Sequence, residues 1–333
     1  MPYPIERKLV IAVSSSALFD LSESHAVFVE KGSKAYKEFQ TVNLDNPLGK
    51  GVAFPFIRRF LNINNHFKRQ SPVEVVLLSR NSAATGKRVF RSIAYYGLDI
   101  SRAAFMEGKS PYEYIPAFNA SLFLSANEED TTKAINAGHP AGTVLPSFVV
   151  DKDDGEELVI AFDFDGVIAD DESEAIYKNA DLPVYHSYEV EHSHIPHKPG
   201  PLADFFKKLA YMQKLEDKAE EKDRNYQRII RTALVTARNA PAHERVITTL
   251  EHWGVSANET FFLGGMKKDR ILSILKPHMY FDDQRSHLES EAGNIPLVHI
   301  PFGIANNNTD HSSSAVDRQS SCPTDRIDQK NIT

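Results

Sequence analysis

The sequence predicts an α/β protein built as two tandem parallel-sheet halves, with the chemistry in the second. Three observations lead there. Leu158–Phe162 contains no polar side chain, as in a strand buried on both faces. Asp163 and Asp165 follow at once and Gly166 ends the run, so two carboxylates stand at the strand's carboxyl end, where open α/β sheets place their sites. The third observation is a repeat. LVIAVSSSALFD from Leu9 parallels LVIAFDFDGVIAD from Leu158, and LLSRN from Leu77 parallels VTARN from Val235. RVFRSIAYYGL from Arg88 parallels RVITTLEHWGV from Arg245, and SLFLSANEE from Ser121 parallels HMYFDDQRS from His278, both at an offset of 157 residues. Four matches in one order argue for duplication rather than chance.

The elements follow in order. Leu9–Val13 reads as a buried strand closing on Ser14, Ser15 and Ser16. Phe19 to Asn65 is mixed, amphipathic near Ala35–Phe39 and apolar from Val52 to Leu61. Val73–Leu78 is a second strand. Arg88–Tyr96 is a helix stopped by Gly97, and Ala117–Leu124 ends a third strand-like unit. The charged run DKDDGEE from Asp151 to Glu157 reads as a linker, with a solvated loop inside one domain as the alternative. Asp170–Lys198 is acidic and rich in histidine. Leu202–Lys222 is helical, with Leu202, Phe205, Phe206, Leu209, Met212 and Leu215 on one face. Thr232–Val235 is a strand. Asn239 is placed to cap the next helix, Pro241 to sit in its first turn and Gly254 to stop it. Thr260–Leu263 and His278–Phe281 are the last strands, the second closing on Asp282 and Asp283. The domains are therefore 1–150, 151–305 and a polar tail, 306–333, expected to be disordered.

Composition narrows the function. At 333 residues, two domains are expected. A net charge of −7 argues against a nucleic-acid polymer as partner, which needs a basic face, but leaves room for a small anion. The single cysteine, Cys322, allows no internal disulfide and fits a reducing compartment. The apolar run before Ser14 is too short for a secretory signal, and no stretch approaches the ~20 apolar residues of a membrane span. A cytoplasmic protein without membrane contact is expected, a homo-oligomer being allowed.

In the second half, Asp163 with Asp165, Thr236, Lys268, and Asp282 with Asp283 end successive strands, so a parallel sheet gathers them in one crevice. The repeat sets Ser14 and Ser16 opposite the first aspartates, Leu78 opposite Thr236, Pro111 opposite Lys268, and Ser125 and Ala126 opposite the last pair. The first half therefore lacks the charged set; it could be a docking, lid or regulatory unit. Carboxylates this close repel unless a cation lies between them, and a hard divalent ion such as Mg²⁺ suits oxygen ligands. Hydrolysis of a phosphate monoester needs a nucleophile, an acid for the leaving oxygen, and cations around the phosphoryl oxygens. Asp163 fits the nucleophile and Asp165 the acid/base. Asp163, Asp165 and a late aspartate fit the Mg²⁺ ligands. Thr236 and the loop amides after it, at Ala237 and Arg238, can donate to phosphoryl oxygens, and Lys268 can neutralise them. Arg238 has Arg80 opposite it in the repeat, which favours a structural role over phosphate contact. His186, His192, His194 and His197 match no helical ligand pair and read as a surface loop.

DxD after a strand, then Thr, Lys and an acidic pair, resembles the haloacid dehalogenase-like phosphohydrolases. AVSSSALF, AFPFI, EVVLLSRNS, RVFRSI, GLDISRAAF, LFLSANEED, FDFDGVIADDESE and PHMYFDDQ resemble the cytosolic 5′-nucleotidase type I family, from about Leu9 to Phe302. That resemblance implies two Rossmann-like halves and Mg²⁺-dependent hydrolysis of nucleoside 5′-monophosphates, AMP foremost. It implies Asp283 rather than Asp282 as the third metal ligand, Lys268 rather than Lys267 in the crevice, and a cap inserted at Ile168–Arg231. Tyr177, Tyr185 and Tyr188 of that cap are candidates to stack on a base. The chain departs from vertebrate members in carrying Phe164, not Gly, between the two aspartates. A phosphatase of sugar phosphates and a non-catalytic nucleotide-binding regulator are the alternatives.

Overall fold

The structure, a computed structural model, describes residues 4–147, 155–289 and 295–306. Most of the tail with Cys322, and residues 151–154 of the expected linker, lie outside the described residues.

Apart from a two-stranded ribbon of Phe19–Asp20 with Gly49–Lys50, the strands of the first half are β1 (Leu9–Val13), β2 (Val73–Ser79), β3 (Arg102–Phe105), β4 (Ala120–Ser125) and β5 (Ala141–Val144). Those of the second are β6 (Leu158–Phe162), β7 (Ile230–Thr236), β8 (Glu259–Phe262), β9 (Met279–Asp282) and β10 (Leu297–His299). All join one 10-stranded sheet, ordered β8-β7-β6-β9-β10-β5-β4-β1-β2-β3. Within each half the strands are parallel and follow one order, third-second-first-fourth-fifth. The seam is antiparallel, Val144 facing Val298 and Thr143 facing His299. One rung runs Ser125–Thr143–His299–Asp282, so the carboxyl ends of the two halves meet at the seam. Ser125 and Asp282 are repeat counterparts, as are Glu128 and Arg285, which form an ion pair across it.

The first half carries α1 (Ser22–Val42, kinked at Gly32), α2 (Phe54–His66), α3 (Ala83–Tyr95) and α4 (Glu128–Asn136). The second carries α5 (Glu172–Asn179), α6 (Leu182–Glu191), α7 (Ala203–Lys222), α8 (His243–Trp253), α9 (Asp269–Leu275) and α10 (Arg285–Glu289). The largest core is shared: Ile11, Val13 and Phe60 belong to the same buried cluster as Ile160, Phe162 and Phe206. A first half that swings as a lid would have to break the seam and this core.

Two expectations need correction. Not all of Ile168–Arg231, expected as an inserted cap, stands off the sheet. An Ala169–Pro199 bridge closes its base, so only α5 and α6 make the excursion. α7 covers the sheet instead, burying Phe205, Phe206, Leu209 and Met212. At about 1.5–3 kcal/mol for each such side chain, that face cannot leave the core as part of a mobile cap. Asn239 is not the helix cap: α8 starts at His243 after Ala242, and the Asn239 carbonyl accepts from the His243 amide at 3.0 Å. Gly254 does end α8, in the left-handed conformation that favours glycine.

Candidate active site

β6 is buried along its whole length and ends at Asp163, 4% exposed. The Asp163 Oδ1 accepts from the Phe164 amide at 2.7 Å, and its Oδ2 lies 2.9 Å from Lys268 Nζ. Lys268 precedes α9, is buried, and also lies 2.8 Å from Asp282 Oδ2. Lys267 next to it is exposed. The Tyr280 hydroxyl donates to the same Asp282 oxygen, and His287 Nδ1 lies 3.2 Å away.

Charge in this closed space sets the protonation. Burial pushes the Asp163 carboxyl up to about 7 against the pull of Lys268, with the Asp282 and Asp165 charges adding to the rise. Burial also disfavours ionised Asp282, but Lys268 and His287 outweigh it and hold that carboxyl below its ordinary value. Burial alone would lower the Lys268 ammonium; Asp163 and Asp282 reverse this and keep it charged.

Asp163, Asp282 and His287 present ligand atoms within 4.8 Å of one another. That gap already holds a cation, the Lys268 ammonium, so it is a poor place for a metal. Asp283 is the better one. It is 0% exposed, yet neither carboxylate oxygen accepts a hydrogen bond among the described residues. Burial, then the Asp282, Asp163 and Glu174 charges, push it well above the carboxylate range. Gly166 makes room for it: a Cβ there would lie 2.4 Å from Asp283 Oδ2, on a backbone at φ +71°. An orphaned buried carboxylate in a cradle that only glycine permits fits a hard cation.

Asp165 does not join the Asp163–Lys268 group. Arg238 takes both its oxygens, at 2.8 and 2.7 Å. Burial pushes Asp165 up, but this guanidinium outweighs it and holds the carboxyl low. The side chain expected among the metal ligands is therefore occupied. Arg238, expected also as a phosphate contact, spends its remaining donors on Glu189, the Ala242 carbonyl at 3.3 Å and His197 Nε2 at 3.0 Å. A guanidinium has five N–H donors, and none is left for a phosphate. Its match to Arg80 hides a difference, since Arg80 pairs with Asp130 and Glu129 within the first half.

Thr236 ends β7 beside β6 and accepts from the Arg238 amide at 3.3 Å, which leaves its own hydroxyl proton to donate. Ala237 after it is exposed. Phe164 is fully buried, edge-on to His197 and under Arg238.

Several residues of this network were missed by sequence reasoning. His197 is buried rather than on a surface loop, with Nδ1 3.2 Å from Asp170. Glu189 on α6 is 0% exposed and accepts from Arg238, from Arg245 at 3.3 Å and from Ser173 at 2.5 Å. Arg245 also bonds Glu172 at 3.0 Å. One signal was present for Arg245: the repeat aligns it with Arg88, and the structure buries both. Of the tyrosines, Tyr188 is spent on Glu172 and stacked on His192, Tyr185 is buried against Tyr177, and Tyr177 is exposed. Hollows of about 140 and 330 Å³ lie near Gln213 and near His186, and neither is lined by Asp163, Lys268 or Asp283. Asp163, Lys268 and Asp283 are themselves buried.

A buried lysine thus stands between aspartates at the carboxyl ends of parallel strands, the position where open α/β sheets place their sites. The comparisons narrow this. A family profile described as 5′-nucleotidase matches residues 1–307, and the chain belongs to that family. It is 33% identical over 296 residues to human cytosolic 5′-nucleotidase 1B, across 86% of this chain and 48% of that protein. The chain thus spans about half the length of that relative. No solved structure matches it. No described helix is long and apolar enough to cross a membrane.

Proposed function

We propose that this chain is a cytosolic Mg²⁺-dependent 5′-nucleotidase that hydrolyses nucleoside 5′-monophosphates, AMP foremost, to nucleoside and phosphate. The observation that carries the reading is Asp163 held against Lys268, with the orphaned Asp283 beside them, in a chain of the 5′-nucleotidase family. The relative's name supports both the substrate class and the cytosolic setting. The same reading takes each half as a haloacid dehalogenase-like unit, with α5 and α6 as the cap of the second.

Asp163 attacks phosphorus, the bond to the nucleoside 5′-oxygen breaks, and an aspartyl-phosphate forms. Once free of Arg238, whose charge keeps it ionised, Asp165 takes a proton from solvent and gives it to the departing oxygen. It then takes one from the water that attacks the same phosphorus and releases phosphate. For this Asp165 must exchange its grip on Arg238 for the leaving oxygen, so cap motion and proton transfer are linked. Thr236 donates to a phosphoryl oxygen, with the Ala237 amide beside it, and Lys268 neutralises the oxygens facing Asp163. Asp163 and Asp283 would hold Mg²⁺, which supplies further positive charge to the phosphoryl group when bound. The test is phosphate release from AMP, IMP, CMP, deoxynucleotides and sugar phosphates, with and without Mg²⁺. Release from nucleotides that stops on chelation is expected; no release from any nucleotide overturns the reading.

A further inference from the structure

One carboxylate near the site has no part in the mechanism above. Glu174 is on α5, and its side chain is 7% exposed. Its Oε1 is held by Gln284 at 3.1 Å and Lys178 at 2.9 Å. Its Oε2 is buried and accepts no hydrogen bond among the described residues. Gln284 is the residue after Asp283, so the bond to it fastens the helix of the excursion to the end of β9. Glu174 is also one of three carboxylates whose charge acts on Asp283, whose two oxygens are likewise bare. Two buried carboxyls with three bare oxygens repel each other unless a cation or a proton lies between them. Lys178 cannot fill that role: it is 40% exposed and touches the other Glu174 oxygen.

We propose that Glu174 is a ligand from the cap to the same divalent cation as Asp283, so that cation binding fastens α5 over the active site. The proposal rests on the metal reading of Asp283 and adds an element to it. A ligand on the excursion makes metal loading and closure one equilibrium, because the cation binds the closed form better than the open one. The closed state would then form fully only when the cation is in place.

The test is Mg²⁺ binding to the full chain by calorimetry, with amide hydrogen exchange over residues 172–179 followed with and without Mg²⁺. The wild-type chain should bind Mg²⁺ and slow exchange along α5. Glu174→Gln keeps the bond to Gln284 and removes the charge. It should weaken Mg²⁺ at least about tenfold and abolish the slowing, with circular dichroism unchanged. Lys178→Met, which leaves the carboxylate intact, should bind as tightly as wild type. Glu174→Asp keeps the charge but withdraws it by one methylene, and covers the case in which the Gln variant misfolds: weakened Mg²⁺ supports the ligand role, unaltered affinity overturns it. Wild-type affinity and wild-type protection in Glu174→Gln would mean that a proton alone joins the two carboxyls, and would sink the proposal. Asp283→Asn separates the two ideas. If it loses Mg²⁺ while Glu174→Gln does not, the metal site stands and the cap ligand falls. If the wild-type chain binds no Mg²⁺, both fall.

Discussion

Glu189→Gln changes one atom, yet it should be among the most damaging substitutions outside the site itself. Glu189 is 0% exposed and meets two guanidiniums that are 5% and 2% exposed, those of Arg238 and Arg245. Its carboxylate accepts from both and from Ser173. A carboxamide has one acceptor oxygen, so its NH₂ must confront a guanidinium, donor against donor. Arg245 would keep Glu172, whose side chain is 37% exposed and screens it less well. Breaking a buried ion pair from one side costs about 3–5 kcal/mol. At about 2–4 °C per kcal/mol this lowers Tm by roughly 6–20 °C. Catalysis should suffer separately, because Arg238 loses an anchor and Asp165 is held by Arg238. General acid–base action contributes on the order of 10²–10⁴-fold, so a misplaced Asp165 should lower kcat by at least about tenfold. Thermal unfolding by circular dichroism and kcat for AMP measure the two effects. Arg245→Met in the same background should recover part of the Tm by removing the stranded charge. A Tm within about 2 °C of wild type with kcat unchanged would refute the argument that this carboxylate holds the excursion to the core.

Other outcomes follow from the same geometry. Asp163→Asn should abolish phosphate release and the trapping of labelled phosphate on the protein while the circular dichroism spectrum is kept; surviving turnover would remove Asp163 as nucleophile. Gly166→Ala puts a Cβ 2.4 Å from Asp283 Oδ2 at φ +71°. It should cost about 1–2 kcal/mol in backbone conformation alone and weaken Mg²⁺ binding by calorimetry, and unchanged affinity would show that Asp283 has no need of that cradle. The Asp165 carboxyl is held below its ordinary 3.8 by Arg238, against burial. Its stabilisation is therefore complete above that value and is lost as pH falls through the lower folded one. Urea midpoints across pH 3–7 should show wild type and Arg238→Met converging at the acid end, and a constant gap would contradict the pair.

Much of the fold was legible because its signals are local. Runs such as Leu158–Phe162 announce buried strands, the apolar face of Leu202–Lys222 announces α7, and Gly254 marks the end of α8. The repeat pointed to two like halves, but not to the order of their strands. What could not be read was how the halves join. β5 and β10 are short, and an antiparallel seam between parallel halves leaves no periodicity of its own. In the site, Asp163 was legible from its strand end, and Lys268 from the family resemblance that chose it over Lys267. The Asp165–Arg238–Glu189–Arg245 network was not: Asp165 reads as a site carboxylate and Arg238 as a structural arginine, and nothing in the spacing joins them to Glu189 or Arg245. His197 was misjudged for the same reason.

The order of residues along the chain therefore determined which side chains stand at the end of each strand, because a buried parallel strand can release charge only there. Tertiary structure decided which of those charges are satisfied. Lys268 falls between Asp163 and Asp282 and pairs with both, Arg238 is spent on Asp165 and Glu189, and Asp283 and Glu174 are left with bare oxygens. Hydrogen-bond saturation depends on which elements are brought within about 3 Å of one another, and no spacing along a single chain encodes that.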